Sequence, residues 1–229
     1  MILLVQAYNY ERHTNLLKQM YRLRKRVFSD QLAWDVPVHG DMEKDGYDEM
    51  KPAYLLWCNE DMDVLYGAIR LLPTTGPTLL YDVFRRTFPE NIDLRAPGIW
   101  EGTRMCIDET RIADDHPEIA PGDAFCMLLL ALCEVALAHG IHTLISNYEP
   151  HLKRIYKKSG AKLDEIGRAE GYGKRPVCCG VFEVSEEIRD TMREKLDIKS
   201  PLYTASRPKP KHRYVAPVTE NVGVAALFH

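Results

Sequence analysis

The sequence lacks any hydrophobic run long enough to cross a membrane. Its longest uninterrupted apolar stretch covers residues 124–133, far short of the roughly 20 residues that a membrane-spanning helix needs. The N-terminus has no basic region, and its apolar stretch is too short for a signal peptide. We therefore expect a cytoplasmic protein.

Net charge is also small, and neither the cysteines nor the histidines follow a ligand pattern. The 229 residues include 30 Lys+Arg and 33 Asp+Glu, for a formal charge of −3, which argues against a surface built for nucleic acid. The six cysteines contain no C-x-x-C pair, which is typical of reduced thiols rather than of a disulfide framework. The eight histidines show no metal-ligand spacing. We expect no metal and no bound cofactor.

Strands and helices alternate over the first 200 residues or so. An apolar stripe along residues 11–28 predicts an amphipathic helix, and polar residues without a period predict a long loop over residues 34–52. Further helices are predicted over residues 81–88, 123–139, 149–158 and 186–196, and strands over residues 2–6, 53–58, 64–72, 99–107, 141–146, 162–166 and 176–184. This pattern predicts an α/β fold, a three-layer α/β/α sandwich with a mixed central sheet. We place the domain at residues 1–199 and assign the basic, proline-containing residues 200–229 to a C-terminal tail.

Aromatic and charged residues gather along the first helix and the loop that follows it. Arg24 and Phe28 are four residues apart and share a helix face. Trp34, Asp45 and Asp48 lie on the loop. The cluster could be a solvated basic helix that pairs loosely with an acidic loop. It could also be a site for a small cationic or zwitterionic ligand, because aromatic faces attract cations and desolvated carboxylates hold an ammonium group.

The predicted strand 99–107 contains a carboxylate among apolar residues. Alternation places Glu101 and Thr103 on one face of this strand and Trp100 and Arg104 on the other. A carboxylate in such a strand is expected to be paired or functional, and Arg70, in the apolar strand before it, is the candidate partner. The pair could hold two strands together, or Glu101 could be a general base that Arg70 positions.

Nine positions occur in the order and spacing of the acyl-homoserine lactone synthases, the autoinducer synthases of bacterial quorum sensing. The nine are Arg24, Phe28, Trp34, Asp45, Asp48, Arg70, Phe84, Glu101 and Arg104. The segments RLRKRVFSDQLAWDV, DGYDEMKPAYLL, YGAIRLLPTTGP and WEGTRMCID resemble that family's blocks, and the resemblance covers about residues 1–195. The segments GPTLLYDVFR, GIHTLISNYEPHLKRIY and GYGKRPVCCG resemble the rhizobial type, which makes long-chain signals.

The resemblance implies a fold similar to that of the N-acetyltransferase superfamily, in which two splayed parallel strands bind the pantetheine arm of an acyl thioester. It implies S-adenosylmethionine and an acyl-acyl carrier protein as substrates, so S-adenosylmethionine is not a cofactor. The implied products are an N-acyl-L-homoserine lactone and methylthioadenosine. Residues 141–146 would form one side of the splay, with residues 162–166 as the neighbouring strand.

The resemblance also implies roles for single residues. The catalytic candidates are Glu101, Arg70 and Thr103, with Glu101 taking the proton of the attacking amine. The implied S-adenosylmethionine site consists of Arg24, Phe28, Trp34, Asp45, Asp48 and Arg104. In that site the aromatic residues would enclose the ligand, the two aspartates would face its positive groups, and the arginines would face its carboxylate or neighbouring acids.

Two further regions are assigned to the acyl group and its carrier. Candidates for the wall of the acyl-chain pocket are Phe84, Met127, Leu128, Ala131 and Thr143, although the apolar helix among them could simply be core. The candidate carrier-protein surface consists of Lys153, Arg154, Lys157 and Lys158, because acyl carrier protein is acidic and basic residues would steer it. The same residues could be a solvated helix face or could bind the phosphates of coenzyme A.

Two other functions remain open at this point. One is an acyltransferase of the N-acetyltransferase fold that uses acyl-coenzyme A and a different amine, which would not need Trp34, Asp45 and Asp48 together. The other is a non-enzymatic module that binds acyl thioesters, against which the intact Arg70, Glu101 and Arg104 argue.

Overall fold

A seven-stranded mixed sheet forms the centre of the structure, a computed structural model that describes residues 1–120 and 122–205. Its strands are β1 Ile2–Val5, β4 Ala53–Cys58, β5 Leu65–Pro73, β6 Ile99–Ile107, β7 Thr143–Tyr148, β8 Leu163–Ala169 and β9 Val177–Glu183, and β2 Val38–His39 pairs with β3 Met42–Glu43 outside the sheet. The helices are α1 Thr14–Arg24, α2 Gly46–Glu49, α3 Leu79–Asp82, α4 Glu109–Asp115, α5 Asp123–Ala138, α6 Lys153–Ser159 and α7 Glu186–Lys195. The strand order across the sheet is β1-β4-β5-β6-β7-β9-β8.

Helices cover both faces of this sheet. On one face α1 buries Leu16 and Met20 in a cluster with Tyr54 of β4. On the other face α5, α6 and α7 pack in the larger core with Leu55, the next residue of β4, because successive strand residues point to opposite faces. The predicted three-layer α/β/α architecture is confirmed. No helix in the described part of the chain is long and apolar enough to cross a membrane.

Strands β6 and β7 are neighbours that separate along their length. These two strands form the one parallel pair among the described strands. Their pairing runs only from Ile99 opposite Thr143 to Glu101 opposite Ile145. Beyond these residues the two strands form no further pairs, so a gap opens toward their C-terminal ends. The expectation that residues 162–166 would be the neighbour in this splay is wrong. Strand β8 forms a hairpin with β9, and β9 takes the place beside β7, which moves β8 to the sheet edge.

Strand β6 carries a bulge next to the splay. Its register with β5 shifts between Ala68 and Arg70, and Arg104 has a φ of 54°, a left-handed conformation that is strained for a residue with a side chain. A bulge adds one residue to a strand and changes which face the following side chains occupy. Arg104 therefore lies on the same face as Thr103, and the predicted alternation, which put the two on opposite faces, is wrong here.

Element boundaries differ most from the prediction where short turns intervene. The predicted helix 11–28 is a 3-10 turn, the α-helix α1 and a π-helical turn over Lys25–Gln31. The predicted loop 34–52 contains β2, β3 and α2. The predicted helix 81–88 divides into α3 and a 3-10 turn at Arg85–Thr87, and α4 was not predicted. These segments are too short for periodicity to define them.

The described chain ends against α5. Backbone N–H groups of Leu202 and Tyr203 each donate to Oε2 of the buried Glu134 at 2.8 Å. The other oxygen of Glu134 accepts from Nε and Nη2 of Arg193 on α7 at 2.9 and 2.6 Å. The first residues of the predicted tail thus contact the domain, and residues 206–229 lie outside the described part of the chain.

Candidate active site

Six charged side chains form a closed ring beneath the loop that follows α1. Three arginines alternate with three carboxylates, and we call this set the charge ring. Its contacts run from Glu43 to Arg24 (2.5 Å), Asp48 (2.7 Å), Arg70 (3.1 Å), Asp45 (2.5 Å), Arg104 (3.2 Å) and back to Glu43 (3.2 Å). The ring unites α1, the loop, β5 and the bulge of β6. Five of its members were predicted as site residues, and Glu43 was missed because the acidic loop gives no signal that singles it out.

The side chains on the inner side of the ring are buried and charged. Asp48 accepts hydrogen bonds from two guanidinium nitrogens of Arg24, from the Tyr54 hydroxyl and from the backbone N–H of Asp45. Burial alone would raise the pKa of Asp48, but the hydrogen bonds and charge of Arg24, with the charge of Arg70, hold this pKa well below its ordinary value. A buried, fully paired carboxylate of this kind stays charged. Within residues 1–120 and 122–205, no group of side chains has the geometry to hold a metal ion.

The outer edge of the ring carries the aromatic residues. Phe28 and Trp34 stack with ring centroids 5.2 Å apart, and the guanidinium carbon of Arg104 lies 5.4 Å from the Phe28 centroid. Trp34 is 39% exposed, whereas Phe28 is buried. Asp45 and Arg104 are the ring members with the most exposed side chains, at 9% each. The structure therefore brings together all six residues predicted to bind S-adenosylmethionine, with one open edge.

Glu101 does not pair with Arg70, which corrects the expected ion pair. Arg70 binds Asp45 through two nitrogens and donates from Nε to Oγ1 of Thr103 at 3.0 Å. Glu101 is completely buried and accepts the backbone N–H groups of Leu79 (3.0 Å) and Leu80 (2.6 Å). The first turn of α3, which follows the N-cap Thr78, therefore holds the carboxylate. The sequence could not predict this contact, because its donors are backbone N–H groups, which nearly every residue type has.

The environment of Glu101 makes it a proton acceptor suited to neutral pH. Burial raises the pKa of Glu101 to about 7, although the N–H groups of Leu80 and Leu79 and the charge of Arg70 act in the opposite direction. A carboxylate that accepts two hydrogen bonds still has free lone pairs. Glu101 also stands at the last paired position of β6 and β7. It therefore lies at the point from which the two strands diverge.

An apolar cavity opens on the opposite face of the sheet at the same point. Its empty volume is about 610 Å³, counted to its open mouth. Gly102 and Met105 of β6 and Ser146 of β7 line it on the sheet side, and Leu132 of α5 and Met192 of α7 line it on the helix side. The splayed strands thus separate the charge ring on one face from an apolar cavity on the other.

The residues predicted for the acyl-chain pocket lie elsewhere. Phe84 packs on Tyr172 with centroids 5.0 Å apart, and Thr143 bonds to His142 at the closed end of the splay. Met127, Leu128 and Ala131 belong to or border the core, whereas the cavity is lined by Leu129, Leu132 and Cys133 of the same helix. Helix α5 is apolar nearly all round, so periodicity cannot identify the face that meets a cavity.

The basic residues of α6 divide into two pairs. Lys153 binds Glu165 and Lys158 binds Asp123, both at 2.5 Å. Arg154 and Lys157 are exposed and form no ion pair with any described residue. Beyond the helix, Arg175 of the β8–β9 connection contacts His151 at 3.1 Å and forms an ion pair with Glu149 at 3.3 Å.

The raised pKa of Glu101 predicts a pH dependence of stability. The folded state holds this proton more tightly than the unfolded state, whose pKa is near 4.5, so the stabilisation is complete below about pH 4.5 and is lost as pH rises through about 7. The difference is roughly 3 kcal/mol. We expect urea unfolding to show a smaller loss of stability between pH 4.5 and 8 for Glu101→Gln than for wild type. Equal losses for both proteins would contradict the assignment.

Comparison with known proteins agrees with this geometry. The family model for autoinducer synthases matches residues 8–192. The acyl-homoserine-lactone synthase of Rhizobium etli is 34% identical over 185 residues, which cover 78% of this chain and 82% of that protein. This relative bears out the rhizobial resemblance.

Two solved structures bear on the fold. BjaI, a CoA-dependent acyl-homoserine lactone synthase solved with SAM and isopentyl-CoA, has a TM-score of 0.77 at 23% identity, covering 88% of this chain and 91% of that one. A Lactobacillus plantarum protein described as an N-acetyltransferase by similarity has a TM-score of 0.50 at 16% identity. The match covers 80% of this chain and 99% of that one. The family match and the relative above 30% identity together settle membership: the chain belongs to the autoinducer synthase family, the acyltransferases that make acyl-homoserine lactones.

Proposed function

We propose that this chain makes its acyl-homoserine lactone from S-adenosylmethionine and an acyl group carried by acyl carrier protein. One observation carries the proposal. Glu101 stands at the fork of the splayed strands, between the charge ring on one face and the apolar cavity on the other. An amine from the charged side and a thioester from the apolar side would meet there.

The open edge of the charge ring suits a zwitterion that also carries a sulfonium group. Trp34 and Phe28 offer aromatic faces to the sulfonium. Arg104 faces the methionine carboxylate, and the exposed edge of Asp45 faces the ammonium group. Arg24 and Asp48 are fully engaged behind them, so they support the site without contacting the ligand. This combination favours S-adenosylmethionine over the amine of a general acetyltransferase.

The acylation step needs a neutral amine. Glu101 takes a proton from the α-ammonium group, directly or through a water molecule, and its pKa of about 7 suits that task. The amine nitrogen attacks the thioester carbonyl, a C–N bond forms, and the C–S bond breaks to release the carrier thiol. Backbone N–H groups of β6 past Glu101, where pairing with β7 has ended, would stabilise the oxyanion. Arg70 and Thr103 fix the strand beside this point.

The lactonisation step needs little chemistry from the protein. The methionine carboxylate attacks its own γ-carbon, a C–O bond closes the five-membered ring, and the bond to the sulfonium breaks to release neutral methylthioadenosine. The sulfonium is a good leaving group, so the protein chiefly has to hold the chain folded. Stacking against Trp34 and the contact with Arg104 would do so.

The choice of donor rests on surface charge. Arg154 and Lys157 stand exposed on α6 and form no ion pair with any described residue. An acidic carrier protein spans such a surface, whereas coenzyme A needs only its phosphates bound.

The six cysteines are all unpaired and buried, which supports a reducing compartment, the cytoplasm, as the location.

Replacing Glu101 tests its role as the base. We expect Glu101→Gln to lower the rate of methylthioadenosine release by roughly 10²-fold or more, the range for loss of a general base. Glu134→Gln is the matched control, since Glu134 is a buried carboxylate outside the site. Activity of Glu101→Gln at the wild-type level would refute the role.

Replacing Trp34 tests the placement of S-adenosylmethionine. Trp34→Ala should weaken its binding by about 1–3 kcal/mol, as measured by calorimetry, because an aromatic contact and a cation–π contact are lost. Affinity for the acyl donor should change little. Leu32→Ala removes an exposed apolar side chain nearby and should bind as wild type does. If Trp34→Ala also binds normally, the ligand lies elsewhere.

Reversing the exposed charges of α6 tests the donor. Arg154→Glu with Lys157→Glu should raise the KM for acyl-carrier protein severalfold, and the effect should shrink in high salt, where surface attraction is screened. Arg12→Glu with Lys18→Glu reverses two exposed charges at the other end of the sheet and should have no effect. Equal use of acyl-coenzyme A with the same mutational response would favour coenzyme A instead.

A further inference from the structure

Asn147 lies on β7 beside the gap between the splayed strands. It lies on β7, two residues beyond Ile145, the last residue that pairs with β6. Parallel register places it level with Thr103 across the gap, and side chains two residues apart on a strand share a face. Asn147 therefore lies on the face of Glu101 and the charge ring, at the position where the strands have begun to separate.

The orientation of the Asn147 amide follows from its neighbours. The Thr87 hydroxyl donates its proton to the carbonyl oxygen of Phe84 at 2.6 Å, so Thr87 Oγ1 can only accept from Asn147. Asn147 Nδ2 donates to Thr87 Oγ1 at 2.9 Å and to the carbonyl oxygen of Cys178 at 3.4 Å. Both neighbours are acceptors, so the NH2 group must face them. The amide oxygen then points away from both.

That oxygen has no partner. Among the side chains of the described residues, Asn147 Oδ1 is the one buried polar atom without a hydrogen bond. Buried acceptors nearly always have a hydrogen-bond partner, and a buried acceptor without one lowers the free energy of unfolding by on the order of 1–3 kcal/mol. Thr87 and Cys178 hold the amide in this orientation, so the side chain cannot turn to relieve it. An N–H donor that enters the gap would satisfy this oxygen.

The acyl donor fits this requirement. Its thioester must reach the fork at Glu101, so the arm that bears the sulfur leaves through the widening gap. Each pantetheine arm contains two amide groups, and the one nearer the sulfur is separated from it by two carbon atoms. An amide running between separated strands takes the place of the missing strand–strand hydrogen bonds.

We propose that Asn147 Oδ1 accepts a hydrogen bond from the amide N–H of the donor's pantetheine arm and so selects donors that carry this amide. The inference rests on the proposed thioester reaction. It is independent of the choice between carrier protein and coenzyme A, because both present the same arm. Asn147 thereby becomes a specificity residue for the donor rather than for S-adenosylmethionine.

Two small donors with the same acyl group test the contact. One is the N-acetylcysteamine thioester, which retains the amide N–H, and the other is the 2-acetoxyethyl thioester, in which an ester oxygen replaces that N–H. Methylthioadenosine release gives kcat/KM for each donor. We expect wild type to prefer the amide donor about tenfold, and Asn147→Leu, which has a similar shape but no acceptor, to show a ratio near one. The KM for S-adenosylmethionine should stay unchanged in both proteins.

Several outcomes would overturn the proposal. A wild-type ratio near one would show that no N–H is recognised and that water satisfies the amide oxygen. An unchanged ratio in Asn147→Leu would assign the preference to another group, and a raised KM for S-adenosylmethionine with an unchanged ratio would place the amine there instead. Should Asn147→Leu not fold, Asn147→Ser serves, since its hydroxyl is too short to reach. No methylthioadenosine from acyl-carrier protein in wild type would refute the proposed reaction, and that result is distinct from a loss of discrimination between the two small donors.

Discussion

The charge ring is the interaction on which the rest of the site depends. Six buried or nearly buried charges alternate in sign, and each touches two of the opposite sign. Removing one partner from a buried pair costs about 3–5 kcal/mol, because the other charge is left uncompensated. The ring therefore fixes the loop after α1 to α1 and to the sheet. It also holds the bulge of β6 through Arg104.

The splay of β6 and β7 lies next to the charge ring, since Arg104 of the ring belongs to β6. Three paired residues hold the strands together at one end, and Glu101 marks the last of them. A gap in a sheet leaves backbone groups without partners, and Asn147, with its unpartnered amide oxygen, lies on β7 beside this gap. The left-handed backbone of Arg104 lies on β6, the other strand of the splay.

Much of the fold could be predicted from the sequence, and less of the site. Strand β6 has the predicted bounds, Ile99–Ile107. The cluster of Arg24, Phe28, Trp34, Asp45, Asp48 and Arg104 was identified through the family resemblance, because its spacing alone is equally consistent with a solvated basic helix and an acidic loop. Glu43, the bulge and the N–H groups that hold Glu101 could not be found, since they depend on backbone geometry or on one acid among many. The cavity face of α5 was missed because that helix is apolar on nearly every side.

The contact between Glu134 and the chain after α7 shows that the last regular element is not the end of the folding unit. A chain cut after Lys199 would retain every helix and strand and would still leave one oxygen of a buried carboxylate without its two N–H donors. Glu134 adjoins Cys133, which lines the apolar cavity. Because α5 and α7 both line that cavity, the segment after α7 helps to set the shape of the cavity from outside its lining.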